Sequence, residues 1–404
     1  MTSTLPARLL ADSLRVVPEE ALGDTVHRLG AVQMDPVQVV APAHLWTLSL
    51  RRGPTSNRDL DAALAAGQVL EGYTHARCLV AARDGAALVR RWRRQRAENS
   101  ARAYGVADEM REIMARLEQE PGLAARELLT DRRVQGWWES DAATTSKATT
   151  IALDLLWMEG RVVVCGRGPE GKRYDLLARR HPDLDARIEQ LPDAEALEAA
   201  LRHTARSWKV FRPAWAAAGF GRGAPPERRR WQGWLLETGE VHAERAGDVE
   251  VLVHRSFPEE VEPFSGTRLL APLDNLLWSR DRLQTLFGFY YRWEVYTPEE
   301  RRRFGPYNMP VLSEGAFWGQ ADPRTVKGRL SVRWHPTTGR RVPEAVRAAG
   351  REARMLARAI RTEASSARTR QSRPREAAPP VPAPRGGRGR PKAATPAQDP
   401  LPRP

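Results

Sequence analysis

Cysteine is scarce in this sequence: Cys78 and Cys165 are the only two among 404 residues. Their separation argues against a disulfide framework and against a zinc site, because neither has a partner at metal-ligand spacing. No run approaches the ~18 uncharged apolar residues of a membrane span. Arg8 and Asp12 interrupt the apolar start of the chain, unlike a signal peptide. We therefore expect a cytoplasmic protein that contacts no membrane and uses no metal or cofactor.

Positive charge is abundant. The chain carries 64 Lys and Arg against 50 Asp and Glu, a net charge of +14, and its pI is about 10.5. Such a balance favours polyanionic partners, of which nucleic acid is the commonest; an arginine-rich composition inherited from a GC-rich genome is the alternative. The 41% hydrophobic content and 13 Trp support real cores, and the length suffices for two or three compact units.

The last segment, residues 363–404, differs in composition from the rest. It has no aromatic residue and is rich in Pro, Ala and Arg, so we predict a disordered basic tail. Nine basic residues against three acidic ones give this tail +6 of the total +14. Within it, Arg388-Gly389-Arg390-Pro391-Lys392 resembles an AT-hook, whose arginines enter the minor groove of A·T-rich DNA. A solvated linker with general phosphate affinity is the alternative.

Residues 121–190 contain the clearest supersecondary pattern. Ile151, Leu155 and Met158 recur at helical spacing, and Gly160 ends the helix. The segment "RVVVCGR", the turn "GPEGK" and the segment "RYDLL" then predict two paired strands. A helix followed by a strand, a basic turn and a strand is typical of a winged helix, with "PGLAARELLTD" upstream as its first helix. The candidate phosphate contacts of this module are Lys147, Arg167, Lys172 and Arg173.

A similar pattern recurs in residues 191–262, where an apolar helix runs into Gly239 and two strands follow. Residues 1–120 are predicted to form a third helical or winged-helix module, and residues 263–362 a small α+β closing unit. The predicted fold class is therefore α+β, mainly helical, with tandem winged-helix (helix-turn-helix) modules. Repeated modules of one type on a basic chain indicate a protein that binds double-stranded DNA. By default we expect a monomer that is associated with the nucleoid.

The stretch Gln33-Met34-Asp35 places an amide and a carboxylate two residues apart at the end of a short apolar strand. Residues i and i+2 of a strand share one face, so Met34 should turn into the core while Gln33 and Asp35 stand side by side. A carboxylate beside an amide suits water activation. The alternative is that both side chains cap the strand and the turn at Pro36.

Several blocks of this sequence, in one order over roughly residues 8–345, resemble the winged-helix DNA glycosylases of the AlkZ/YcaQ type. The resemblance implies tandem winged helices around a duplex and a monofunctional glycosylase that removes alkylated bases, N7-alkylguanines especially, and some interstrand crosslinks. The blocks are "LGAVQMDPVQVVAPAHLWTLSLR", "VLEGYTHARCLV", "LAPLDNLLWSRDRLQTLFGFYYRWEVYTPEERRRFG" and "MPVL".

The catalytic signature of that family is Gln, an apolar residue, then Gln or Asp, which stands here as Gln33-Met34-Asp35. The resemblance thus implies catalytic roles for Gln33 and Asp35. It places the chain in the aspartate-bearing YcaQ-like branch rather than the double-glutamine branch specialised for a natural crosslinking toxin. Because an N7-alkylated guanine departs as a good leaving group, Asp35 can stabilise the cationic sugar and activate water, while Gln33 fixes the water or the sugar.

The remaining candidates each have a structural alternative. His75 matches a histidine-containing block of the family and is a pocket or DNA-contact candidate, although a lone histidine is usually structural. Tyr73 can stack on a base or fill the core. Trp137 and Trp138 are interpreted as core, and the basic run at 90–96 as a phosphate-binding or solvated helical face. Three further candidates lie at a predicted turn, where they either bind phosphates or are simply solvated; they are Arg301, Arg302 and Arg303.

Two other functions share these features. A non-catalytic winged-helix regulator would have the same charge and the same modules, but no reason to pair Gln33 with Asp35 in a groove. A catalytically inactive glycosylase that senses lesions would bind damaged DNA and release no base.

Overall fold

The computed structural model describes residues 4–35, 41–99, 105–128, 130–135, 146–215, 225–326, 329–336, 350–351 and 354. By contacts the chain divides into two units, Met1–Ala367 and Arg368–Pro404, and every described residue belongs to the first. The predictions for Pro36, for Trp137 and Trp138 and for Arg388 and Arg390 therefore lie outside the described residues, as does most of the predicted tail.

The N-terminal part packs four helices around a small antiparallel sheet. Ser56 and Asp59 form a capping box in which each side chain accepts a hydrogen bond from the other residue's backbone N–H, and this starts the fourth helix. The strand order is β1–β3–β2. These elements are α1 (Leu5–Ser13), α2 (Leu22–Leu29), β1 (Ala31–Gln33), α3 (Ala43–Arg52), α4 (Asn57–Ala65), β2 (Val69–Tyr73) and β3 (Arg77–Ala81).

The second group contains the helix and hairpin predicted from residues 121–190. Gly160 follows the helix at φ +68°, and a Cβ there would lie 2.5 Å from the Trp92 ring, so glycine is required. The sheet order is β4–β8–β7. The elements are α5 (Ala86–Asn99), α6 (Ala107–Gln119), β4 (Leu123–Ala124), β5 (Arg133–Val134), β6 (Ser146–Lys147), α7 (Ala148–Met158), β7 (Val162–Gly168), β8 (Gly171–Leu176), α8 (Leu177–Arg180) and α9 (Pro182–Gln190).

The helix predicted over "PGLAARELLTD" is wrong. Leu123 and Ala124 are both buried and pair with Tyr174 and Arg173 of β8, and a single 3-10 turn, Ala125–Leu128, follows them. Strand pairing in the tertiary structure overrides the local helical preference of this segment.

Residues 193–254 contain the predicted helix, glycine and hairpin. Gly239 follows the second helix at φ +67°, and the strands pair in the order β10–β11–β9. The elements are α10 (Asp193–Trp208), β9 (Val210–Phe211), α11 (Pro225–Glu237), β10 (Val241–Ala246) and β11 (Val249–His254).

Within residues 267–326 and 329–336, the last part is a four-stranded antiparallel sheet with helix α12, the mixture of strands and helix that the sequence predicts for this region. The strand order is β12–β13–β14–β15. The elements are β12 (Thr267–Leu269), α12 (Arg280–Phe287), β13 (Met309–Ser313), β14 (Ala316–Val326) and β15 (Arg329–Pro336).

Among the described residues, the larger of two hydrophobic clusters runs from α1 to β14, and the smaller one includes Ala31 and Cys78. The larger cluster joins the N-terminal helices to the last sheet, and the buried Trp46 indole N–H donates to the Leu269 carbonyl at 2.6 Å. The described residues form a mixed α/β structure, and none of their helices is both long and apolar enough to span a bilayer. The continuous core fixes the strand that carries Gln33 between elements distant in sequence.

Candidate active site

Gly30 sets the position of strand β1. It follows α2 at φ +80°, and a Cβ there would lie only 1.8 Å from Ser207 Oγ on α10. His203, also on α10, places its Nε2 3.0 Å from the Gly30 carbonyl oxygen. Glycine is therefore needed both for its backbone angle and for the close approach of α10. This tight turn directs β1 along the sheet.

The backbone of β1 is held from both sides. Val32 pairs with Leu79 and Gln33 with Cys78 on β3, and the Met34 N–H donates to the Arg77 carbonyl at 2.8 Å. The buried Asn275 amide donates to the carbonyl oxygens of Leu29 and Ala31, at 3.0 Å and 2.8 Å. A strand of three residues is thereby fixed at its end, where the candidate catalytic side chains emerge.

Met34 packs against the hydrophobic core, but it is half-buried like the flanking Gln33 and Asp35. Strand β1 ends at Gln33, so the predicted alternation of burial does not extend across the three residues. Asp35 lies close enough to the buried Tyr307 to influence its ionisation: burial, and then the Asp35 charge, raise the pKa of the phenol. Tyr307 precedes β13 and donates to the Ala41 carbonyl at 3.5 Å. The carboxylate thus faces the C-terminal part of the molecule.

Gln33 contacts His75 directly. The His75 Nε2 lies 3.0 Å from Gln33 Oε1, in the turn between β2 and β3. His75 Nδ1 lies 3.3 Å from the Thr74 hydroxyl, and Thr74 Oγ1 lies 3.1 Å from Cys78 Sγ. The His75 ring meets Trp278 edge-on, with 4.6 Å between centroids. Two residues singled out independently in the sequence are therefore neighbours.

Tyr73, at the end of β2, is half-buried against the core. Its ring lies 6.4 Å from that of Trp157 in an edge-on arrangement, and the Arg91 guanidinium lies 4.9 Å from its centroid. These contacts favour a packing role for most of the ring.

A buried ionic cluster lies between the β2–β3 and β7–β8 hairpins. Glu71 is 2% exposed; Arg77 Nε donates to it at 2.8 Å, and Arg167 also donates to it. Burial alone would raise the pKa of Glu71, but the two guanidiniums outweigh it and lower the pKa. Burial and the Arg77 charge lower the pKa of Lys172 to about 8. Two predicted phosphate contacts, Arg167 and Lys172, thus take part in an internal charge cluster.

The other predicted phosphate contacts are placed differently. Arg173 is 43% exposed, and it donates to the Gly122 carbonyl at 2.8 Å. Lys147 is half-buried at the start of α7.

In the stretch before β13, Arg301 and Arg303 are exposed. Arg302 Nε donates to the Thr297 carbonyl at 2.7 Å. The buried Glu294 carboxylate accepts the Arg303 N–H at 2.9 Å, which holds the turn that presents these arginines.

The basic run at 90–96 lies on α5, and two of its arginines donate hydrogen bonds to residues within or next to other helices. Trp92 is buried, Arg93 donates to the Ile188 carbonyl at 2.6 Å, and Arg96 donates to the Glu159 carbonyl at 3.1 Å. Among the residues that the structure describes, no group of three or more His, Cys, Asp or Glu is arranged to hold a metal ion.

The site thus brings an amide, a carboxylate and an imidazole to the end of one fixed strand of a basic protein. A family model described as DNA glycosylase AlkZ-like matches residues 26–363. The chain belongs to the AlkZ-like DNA glycosylase family. As a member of this family it is a DNA-binding hydrolase of DNA repair, and the family resemblance seen in the sequence is confirmed.

The fold agrees with this assignment. The AlkZ-like chain is similar in structure to the DNA glycosylase AlkZ of Streptomyces sahachiroi, with a TM-score of 0.61 and 17% sequence identity. The similarity covers 88% of this chain and 97% of that one. At this identity the comparison establishes the common fold.

Several residues of the site were not predicted as functional. Thr74, Cys78 and Trp278 surround His75, Asn275 binds the carbonyl oxygens at the start of β1, and Tyr307 lies near Asp35. A signal was present for some of them, because the quoted block "LAPLDNLLW" places two polar residues, Asp274 and Asn275, inside an apolar run. Buried polar residues usually have hydrogen-bond partners, but the sequence does not say which.

Proposed function

We propose that Gln33 and Asp35 are the catalytic pair of a monofunctional glycosylase that hydrolyses the N-glycosidic bond of N7-alkylguanine-type bases. The observation that carries this proposal is the strand end itself, where Met34 packs against the core and is half-buried together with the two flanking polar side chains. The Gln-x-Asp sequence supports assignment to the YcaQ-like branch.

The base needs no protonation before it leaves, since N7 alkylation already makes it cationic. Water attacks C1′, the bond from C1′ to N9 breaks with its electron pair going to the base, and the alkylated base leaves neutral. Asp35 accepts the proton of the water and stabilises the cationic sugar that develops at C1′. General-base assistance of this kind contributes about 10²–10⁴-fold in rate.

The DNA-binding surface is proposed to come from winged-helix modules. Helix α7 with the β7–β8 hairpin, and α11 with the β10–β11 hairpin, have the appropriate order of elements. Lys147, Arg173 and the exposed Arg301 and Arg303 are the proposed phosphate contacts.

We extend the proposal to interstrand crosslinks. A crosslinked base is tethered to the opposite strand and cannot be flipped out of the helix in the usual way, so the reaction has to take place near the groove. A monomer bound to nucleoid DNA, with the arginines of the tail in the minor groove, completes the proposed arrangement.

A duplex carrying one N7-methylguanine tests the function. After incubation, alkali cleaves the strand wherever the base has been released, and cleavage that requires alkali indicates a monofunctional enzyme. We expect the wild type to release the base and Asp35→Asn to be slowed by about 10²–10⁴-fold, with unchanged duplex binding in a mobility-shift assay.

Two outcomes would contradict the proposal. Full activity of Asp35→Asn would remove this carboxylate from the mechanism. Binding of the lesion duplex by the wild type without any base release would instead favour a non-catalytic DNA-binding protein or an inactive lesion sensor. His181→Phe, a half-buried histidine between α8 and α9, is the control for substitution in general.

A further inference from the structure

We infer that His75 is a positioning residue: its Nε2–H holds the Gln33 carbonyl oxygen, so that the Gln33 amide N–H groups point away from His75 as hydrogen-bond donors to DNA. This inference rests on the proposed function of Gln33. It assigns His75 no proton transfer and no contact with the substrate.

The contact geometry determines the form of the imidazole. Gln33 Oε1 is an acceptor only, so the His75 Nε2, 3.0 Å away, must carry a proton. A neutral imidazole then has no proton on Nδ1, which lies 3.3 Å from Thr74 Oγ1, while the Thr74 hydroxyl donates its proton to Cys78 Sγ. Burial lowers the pKa of His75 to about 4, so this neutral form is the one present at neutral pH.

The imidazole is itself held in place by residues of the same sheet. Thr74 is buried, and its hydroxyl lies 3.1 Å from the fully buried Cys78 Sγ. Cys78 on β3 is the cross-strand partner of Gln33 on β1, so the path Gln33–His75–Thr74–Cys78 ends on the neighbouring strand, opposite the residue where it began. Burial raises the pKa of Cys78 to about 12, which keeps it a thiol.

Trp278 packs against the His75 ring. It meets His75 edge-on at 4.6 Å, and its own indole N–H donates to the Leu273 carbonyl at 3.0 Å. Gln33 thus engages Nε2, and Trp278 packs against the ring. A ring held by these contacts can fix the rotamer of the glutamine that it contacts.

A fixed Gln33 amide gives the two candidate catalytic residues different roles. With Oε1 directed to His75, Gln33 presents donors, and the oxygens of the phosphate and the deoxyribose are acceptors. Asp35, an acceptor when ionised, is then the group suited to the attacking water. Gln33 holds the sugar–phosphate backbone in position while Asp35 activates the nucleophile.

Two substitutions distinguish the contribution of the His75 N–H from that of the His75 ring. His75→Phe keeps a ring against Trp278 but removes both nitrogens, whereas His75→Gln keeps an N–H at about the reach of Nε2. We expect single-turnover base release from N7-methylguanine DNA to fall about tenfold in His75→Phe and to remain within about threefold in His75→Gln. Duplex Kd should stay within about threefold in both variants, because one positioned amide is a small part of the interface.

A double-mutant cycle tests whether His75 acts through Gln33. Gln33→Ala with His75→Phe should be no slower than Gln33→Ala alone, since the positioned group is already absent. Additive losses would overturn the inference, as would a wild-type rate in a folded His75→Phe variant or equal losses in the Phe and Gln variants. His181→Phe is the control.

A spectroscopic measurement tests the inference without an activity assay. The ¹⁵N shifts of histidine-labelled wild-type protein distinguish the two neutral tautomers, and His75→Gln identifies the His75 signals. We expect a proton on Nε2 and none on Nδ1 from pH 6 to pH 8; a proton on Nδ1 overturns the inference. If the tautomer is as expected but the wild type releases no base, the proposed function fails and the positioning contact stands.

Discussion

Arg51 and Asp274 form a two-pronged ion pair between side chains that are both 0% exposed. The two Nη–Oδ distances are 2.7 Å and 2.8 Å. Asp274 also accepts the Leu276 N–H at 3.1 Å, which caps the 3-10 turn Asn275–Leu277. Because Asn275 in this turn binds the carbonyl oxygens beside β1, the ion pair supports the strand that carries Gln33.

Removing one partner of this pair should be costly. Asp274→Ala leaves the Arg51 guanidinium buried without its counter-ion, and we expect the free energy of unfolding to fall by about 3–5 kcal/mol. Denaturant unfolding measures this. The control is Asp108→Ala, which removes an ion pair whose carboxylate is 84% exposed and should change stability by less than about 1 kcal/mol. Equal effects of the two substitutions would contradict the assignment.

Gly30→Ala should affect both stability and the site. The new Cβ would lie 1.8 Å from Ser207 Oγ, so α10 or β1 must move. Gly239→Ala is the matched control, because Gly239 also follows a helix with positive φ but has no atom within 4 Å of its Cβ position. We expect Gly30→Ala to destabilise the protein by about 1–3 kcal/mol more than the control, and to slow base release. Indistinguishable unfolding midpoints would refute this.

Arg167 and Lys147, two predicted phosphate contacts, should respond differently to alanine. Arg167→Ala removes a partner of the buried Glu71 and should lower stability by about 1–3 kcal/mol. Lys147→Ala should leave stability nearly unchanged and reduce the salt dependence of DNA binding by about one phosphate contact. Thermal unfolding and duplex Kd at several salt concentrations test both predictions. A stability loss in Lys147→Ala but not in Arg167→Ala would contradict the roles assigned to these two residues.

Acid should destabilise the protein through His44. Burial, and then the Arg167 charge, lower the pKa of this histidine from 6.5 to about 4, against an opposing effect of Glu71. The unfolded chain therefore binds the proton near pH 6.5 and the folded chain only near pH 4. Between these values the stabilisation from neutral His44 is lost as pH falls, by at most about 1.4 kcal/mol per pH unit.

His44→Leu removes this titration. The free energy of unfolding of the variant should therefore decline less steeply than that of the wild type between pH 6.5 and pH 4. Parallel curves over this range would show that His44 does not contribute. Comparing the wild-type and His44→Leu curves isolates the contribution of His44 from that of other groups that titrate in the same pH range.

Much of the local structure could be predicted from the sequence. The helical spacing of Ile151, Leu155 and Met158, ended by Gly160, predicts α7, and the polar turn after it predicts the β7–β8 hairpin. The segment at Leu123 was predicted wrongly as a helix because its strand partner, Tyr174, lies 51 residues away in the sequence. Helical periodicity is a local signal, whereas strand pairing depends on a partner that the local sequence does not name.

The sequence by itself determined the basic charge, the family and the placement of Gln33 and Asp35 on either side of Met34, since each follows from composition, motif or neighbouring residues. Only the tertiary structure decided that His75 meets Gln33 across the sheet, that Arg167 and Lys172 share an ionic cluster with Glu71, and that Asn275 holds the backbone beside β1. These contacts join residues far apart in the chain, and their partners are chosen by packing and by the need of buried polar groups for hydrogen bonds.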